Sequence, residues 1–189
     1  ARAALDTVEI LDAAGFDIVM IETVGVGQDE VDIAEAADTV IVVSAPGLGD
    51  GIQAIKAGVL EIADLHVVSK CDKEEASRTV ADLKGMLSLG GGAREKFGWQ
   101  VSVLRTSAET GLGIADLASA IEDHRRHLET SGEGKVRRRR ILETRILKTA
   151  EDLLRRRLSE GRELAAVADA AEAGELSPRQ AAARLLGER

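Results

Sequence analysis

Apolar residues gather in four short runs within the first 124 positions: 17–22 (DIVMIE), 39–45 (TVIVVSA), 65–70 (LHVVSK) and 100–105 (QVSVLR). They are rich in Val, Ile and Leu and end in turn-forming or polar residues, which predicts short buried strands. The stretches 3–14, 50–63, 74–89 and 113–130 space their apolar residues three and four apart between charges, which predicts helices. Strands that are apolar on both faces and separated by helices imply a parallel sheet covered on each side. Ligands of such sheets gather at the carboxyl ends of the strands. Beyond position 124 the strand pattern stops. There Leu142, Ile146, Ala150, Leu153 and Leu154 mark a stripe of helical period in a charged stretch. The pattern therefore predicts an α/β domain over 1–124 followed by an all-α segment over 125–189.

Composition narrows this little, but charge divides the chain. Only Phe16, Phe97 and Trp99 are aromatic, and 44% of the 189 residues are hydrophobic. The single cysteine, Cys71, has no internal partner for a disulfide, which points to a reducing cytoplasm. No apolar run approaches the roughly 20 residues of a membrane span. The opening ARAALDTVEILDAAGFD is an acidic amphipathic helix rather than a signal peptide. With no starting Met and no leading strand, it reads as the interior of a longer protein. Residues 1–124 carry 9 basic against 22 acidic side chains, whereas 125–162 carry 13 against 6. The basic segment holds KVRRRR (135–140) and RRR (155–157). Arginine runs can contact phosphate, but no aromatic platform or glycine clamp accompanies these, which argues against nucleic acid. A packed helix with charged flanks fits the apolar stripe between them.

The polar signatures fall at the strand ends. After 17–22 come Glu22, Thr23, Val24 and Gly25; after 39–45 comes PGLGDGIQAIKAG; after 65–70 come Cys71 and Asp72; after 100–105 come Thr106, Ser107, Ala108 and Glu109. A carboxylate and a Gly turn at a strand end suit the water shell of Mg²⁺ and a γ-phosphate. In the GTPase arrangement an Asn-Lys-x-Asp loop reads guanine, with Asp accepting the ring N–H and exocyclic amine, the Lys stem covering the base, and a later Ser-Ala turn giving an amide to the guanine oxygen. Taken singly, each piece is also an ordinary βα turn, with Gly allowing positive φ and Asp capping the next helix. Their order along consecutive strand ends is what gives them weight. His124 and His127 beside Glu122 and Asp123 could hold a metal, but a solvated helix end accounts for them as well. Cys71 beside Lys70 reads either as a reactive thiol or as a small residue filling the loop. Ser177-Pro178-Arg179-Gln180 is a capping box that starts the last helix.

The stretches IETVGVGQDEVDIAEAADTVIVV, PGLGDGIQAIKAGVLEIADL and GELSPRQAAARLL resemble the MeaB/ArgK group of P-loop GTPases. These are chaperones of cobalamin-dependent acyl-CoA mutases, and an older naming makes them lysine/arginine/ornithine transport kinases or ATPases. The resemblance implies a P-loop NTPase-type parallel sheet flanked by helices, with an all-α C-terminal extension for homodimerisation. Residues 1–124 would be the C-terminal part of a G domain and 125–189 the dimerisation arm. It also implies GTP or GDP, Mg²⁺ and a mutase partner. On that pattern Glu22 is the Mg²⁺-side carboxylate, through water, and Gly25 senses the γ-phosphate, the two being the catalytic pair. Ser69, Lys70, Asp72, Ser107 and Ala108 form the guanine site. The loop from Gly47 to Gly58, with Gly49, Asp50, Gln53 and Lys56, would be a switch that signals nucleotide state to the mutase.

Two departures stand out. Ser69 occupies the place of an Asn, and a serine cannot both accept and donate as a carboxamide does. No G-x-x-x-x-G-K-[ST] occurs; the only Gly-Lys pair is Gly134-Lys135, followed by Val136. The phosphate loop and first switch are therefore missing from these residues. No Asp-x-His-x-x-Gly signature occurs either, so cobalamin would belong to the partner. Three readings follow: a GTPase metallochaperone that couples GTP hydrolysis to cofactor loading or protection of a mutase, an amino-acid transport kinase or ATPase, and a non-catalytic dimerisation or adaptor fragment.

Overall fold

In the computed structural model, residues 2–23, 36–47, 62–89, 95–96 and 98–187 are described. In chain order the elements are α1 (Arg2–Ala13), β1 (Ile41–Ser44), β2 (Leu65–Val68), α2 (Ala76–Leu89), β3 (Glu95–Lys96), β4 (Trp99–Gln100), β5 (Ser102–Arg105), α3 (Ile114–Thr130), α4 (Glu133–Glu160), α5 (Arg162–Glu172) and α6 (Pro178–Leu186). Strands β1, β2 and β5 form a parallel sheet in that order, and β3 pairs with β4 in a small antiparallel ribbon. The register sets Ser44 opposite Val68 and Val68 opposite Arg105, so the carboxyl ends of all three strands lie level.

The sequence pattern explains why β2 is central. Leu65, His66, Val67 and Val68 are all buried, as expected of a strand paired on both sides and covered by a helix. Helix α2 offers Ala76, Val80, Leu83 and Leu87 along one stripe, and these close with Val68 and Cys71 into the core. Helix α3 begins at Gly113, whose φ of 69° puts it in the left-handed region. A Cβ there would sit 1.8 Å from the Arg105 carbonyl, so only glycine lets the helix start this close to the end of β5.

The run 17–22 is the exception to the strand expectations. It is extended but joins no ladder, with Ile18 77% and Met20 90% exposed. An apolar run becomes a strand only when a neighbouring edge supplies its hydrogen bonds, and among the described residues none pairs with it. The expected helix 50–63 lies outside the described residues apart from its last two positions.

The reading of His124 and His127 as a solvated helix end is corrected. His124 is buried, sharing a 2.8 Å hydrogen bond with Thr39 through Nδ1 and placing Nε2 3.7 Å from Asp64. Asp64, 2% exposed, stands just before β2 and accepts from the Val40 amide at 2.8 Å. Arg137, from the arginine run, donates through Nη2 to both Asp64 oxygens at 3.0 and 2.9 Å and through Nη1 to the Asp38 carbonyl at 2.6 Å. The Trp99 indole donates to the Asp64 carbonyl at 2.8 Å and meets the His124 ring edge-on. A buried charge must be paired and hydrogen-bonded, and Asp64 is both. This cluster pins the first turns of α4 to the amino ends of the strands.

By contact the chain divides into two compact units, residues 1–141 and 142–189. In the second, α5 and α6 pack together and bury Val167 and Ala181. The Ser177 hydroxyl accepts the Gln180 amide while the Gln180 side chain takes the Ser177 amide, so the expected capping box is formed. Among the described residues no helix is long and apolar enough to cross a membrane.

Candidate functional site: the base-type loop at the carboxyl edge

The chain leaving β2 is held against both neighbouring strands. On one side the Ser69 amide donates to the Ser44 carbonyl at 2.8 Å, and the Ser69 hydroxyl donates to the same oxygen at 3.1 Å. On the other the Cys71 amide donates to the Thr106 carbonyl at 2.9 Å, and its thiol to the Val68 carbonyl at 3.1 Å. Between these anchors Lys70 adopts φ 53°, the single positive-φ residue other than glycine among those described. A left-handed lysine costs energy that its neighbours must offset. The kink carries the chain across the sheet edge toward β5.

There Asp72 meets Ser107. The Ser107 hydroxyl donates to Asp72 Oδ1 at 2.5 Å and accepts the Thr110 amide at 3.3 Å. Ser107 is itself fully buried, its amide bonded to the Leu112 carbonyl and its carbonyl to the Gly111 amide, so the hydroxyl has one fixed place. Asp72 is exposed on its outer side. The Ser107 hydrogen bond holds its carboxyl below the ordinary value of 3.8; a bond to its own backbone amide and the charges of Lys73 and Lys70 add to this, and desolvation opposes it. The result is a fixed carboxylate facing solvent, with Lys70 exposed two residues before it and Ala108 exposed next to Ser107.

Of the residues expected in a site, the structure brings Ser69, Lys70, Asp72 and Ser107 together over the ends of β2 and β5, with Ala108 in the adjoining turn. Glu22 lies exposed in the extended segment after α1. Gly25, Gly49, Asp50, Gln53 and Lys56 lie outside the described residues. Among the described residues no three His, Cys, Asp or Glu side chains are grouped to hold a metal, and one exposed carboxylate does not make a Mg²⁺ site. The part of Ser44 went unread in the sequence. Its carbonyl anchors Ser69, and its own hydroxyl is buried with no hydrogen-bond partner among the described residues.

Parallel strands flanked by helices, with polar loops at their carboxyl ends, define an open α/β domain that binds ligands at that edge. The crystal structure of an LAO/AO transport system kinase matches the fold with a TM-score of 0.70 at 29% identity, over 98% of this chain and 61% of that one. The chain belongs to the family described as methylmalonyl Co-A mutase-associated GTPase MeaB, which matches residues 1–163. A Pyrococcus abyssi protein assigned as a GTPase is 47% identical over 146 residues, covering 77% of this chain and 45% of its own length. The Escherichia coli GTPase ArgK is 35% identical over 155 residues, 81% of this chain and 47% of its own. The mouse mitochondrial methylmalonic aciduria type A homolog is 34% identical over 140 residues, 72% of this chain and 33% of its own. The chain thus spans about half the length, or less, of these curated relatives.

Proposed function

We propose that this chain is the guanine-reading and arm-bearing part of a GTPase that chaperones a cobalamin-dependent acyl-CoA mutase. The observation that carries the reading is the Asp72–Ser107 clamp beside a left-handed Lys70. A fixed, ionised carboxylate accepts from two adjacent donors, and guanine offers them as its ring N–H and 2-amino group. Adenine presents an acceptor at the matching ring position and is repelled. The Lys70 stem would lie along the base, and the Ala108 amide would meet the 6-oxo group.

The phosphates need a cradle of amides and a lysine, and we assign that cradle to residues beyond those described. Among the described residues β1 is paired on one side only, and Val43 on it is 63% exposed, so this edge can take a further strand. Glu22 and Gly25 are proposed to face Mg²⁺ and the γ-phosphate in the assembled site. No step is derived through the metal, since its other ligands lie outside the described set. Asp50, Gln53 and Lys56 are proposed to report nucleotide state to the mutase. The family name and the mouse relative's name support the mutase partner. A guanine-type loop speaks against the transport-ATPase reading.

The test is GTP turnover by the full-length protein with and without a methylmalonyl-CoA mutase. The expected result is faster turnover with the mutase, lost in Lys56→Ala, whose intrinsic rate stays within about threefold of wild type because a signalling residue does not touch the reacting atoms. A turnover rate indifferent to the mutase would refute the partner.

A further inference from the structure

The donors and acceptors around the base-type loop can be counted. A serine hydroxyl has one proton, and that of Ser69 goes to the Ser44 carbonyl. The Cys71 thiol spends its proton on the Val68 carbonyl. The Ser107 hydroxyl gives its own to Asp72. An ionised Asp72 accepts and cannot donate. In the turn beyond it, the amides of Ser107, Thr110 and Gly111 are bonded within the turn, which leaves those of Ala108 and Glu109, both exposed, to meet a ligand oxygen. The Lys70 side chain has donors only at the far end of its stem, and a stem lying across the ring carries them past the base. The edge is therefore made of a carboxylate, which reads two ring donors, and exposed amides, which read one oxygen. No side-chain donor that flanks Lys70 in the loop remains for the ring's imidazole nitrogen.

We propose that Ser69 is a positioning residue: its hydroxyl fastens the loop to β1, and this loop reads a purine by its N1–H, 2-amino and 6-oxo edge while leaving N7 unread. The proposal rests on the guanine-reading role assigned above and specifies its ligand class. Guanosine and 7-deazaguanosine share the whole recognised edge and are accepted as equals. Inosine lacks the 2-amino group and binds more weakly. Adenosine offers the wrong edge and is refused.

The experiment is a titration of the 189-residue chain with these four nucleosides, followed by the amide NMR shifts of Lys70, Cys71 and Asp72. Equal affinities for guanosine and 7-deazaguanosine are expected, within about twofold, with inosine several-fold weaker for one lost hydrogen bond. Ser69→Ala should weaken guanosine and 7-deazaguanosine by the same factor and move the Lys70 and Cys71 shifts in the unliganded chain, and Ser69→Thr should restore both. The shifts of the capping residues Ser177 and Gln180 report that each variant remains folded. A loss of about tenfold or more on replacing N7 by carbon would overturn the proposal, as would a Ser69→Ala variant with unmoved Lys70 and Cys71 shifts. Equal binding of guanosine and adenosine, or none of either, would instead overturn the guanine reading on which it stands.

Discussion

At the scale of single residues, the carboxylate of Asp72 and the hydroxyl that holds it carry the site. Because the folded-state pKa of Asp72 lies below its ordinary value of 3.8, the ionised, clamped form persists from neutral pH down to that region and is lost as pH falls through the depressed value. Guanosine binding by the chain should be flat above this range and fade below it. In Ser107→Ala the largest cause of the shift is gone, so the fade should begin at higher pH, nearer 3.8, and affinity at neutral pH should drop several-fold. An unchanged pH midpoint in the variant would show that the two side chains do not act together; NMR titration reads both. That Lys70, Asp72 and Ser107 share one edge was legible because their order follows consecutive strand ends. The anchors were not: Ser44 lies 25 residues from Ser69, and Arg137 lies 73 from Asp64. A bond across that separation leaves no mark on local periodicity.

At the scale of elements, α2, α3 and the three sheet strands follow from apolar spacing, since a buried face needs the same residues in any context. The run 17–22 has the same spacing but no partner edge, so its residues predict a strand that the described chain does not form. The arginine run of α4 hid a second function of spacing. Arg137 turns inward to Asp64, while Leu142, Ile146, Leu147 and Leu153 on the same helix are 54%, 56%, 64% and 59% exposed. Arg137 donates to both oxygens of the buried Asp64, so Arg137→Ala removes the charge-assisted bonds that compensate its burial and should cost about 3–5 kcal/mol in chemical denaturation. Trp99, the single tryptophan and a neighbour of the cluster, reports the transition. A loss under about 1 kcal/mol would show the pair to be dispensable. The exposed leucines make the opposite case. Water-facing apolar residues on one helix mark an interaction surface, and the arm is proposed to pair with a second copy there. Ile146→Asp with Leu153→Asp should then give monomers by light scattering. A dimer of unchanged mass would place the interface elsewhere.

At the scale of the whole molecule, what the chain is expected to bind follows from the proposed base site alone. The proposed base edge is built from three strand ends locked in register, with β2 buried between them. No described residue offers the Gly-rich cradle that a triphosphate requires, and residues 1–124 carry 22 acidic against 9 basic side chains. Against that acidic excess, added phosphates bring repulsion without compensating amides. Base and phosphate contacts are separable terms, and the described residues are proposed to supply only the first. The 189-residue chain is therefore expected to bind guanosine, GDP and GTP with similar, weak affinity, with GTP the weakest at low salt and gaining as salt screens the repulsion. Titration calorimetry at two salt concentrations, with guanosine beside GTP, measures this directly. If GTP bound about tenfold tighter than guanosine, the phosphates would be finding amides or a cation within these 189 residues, and the expectation that the chain binds by the base alone would fail.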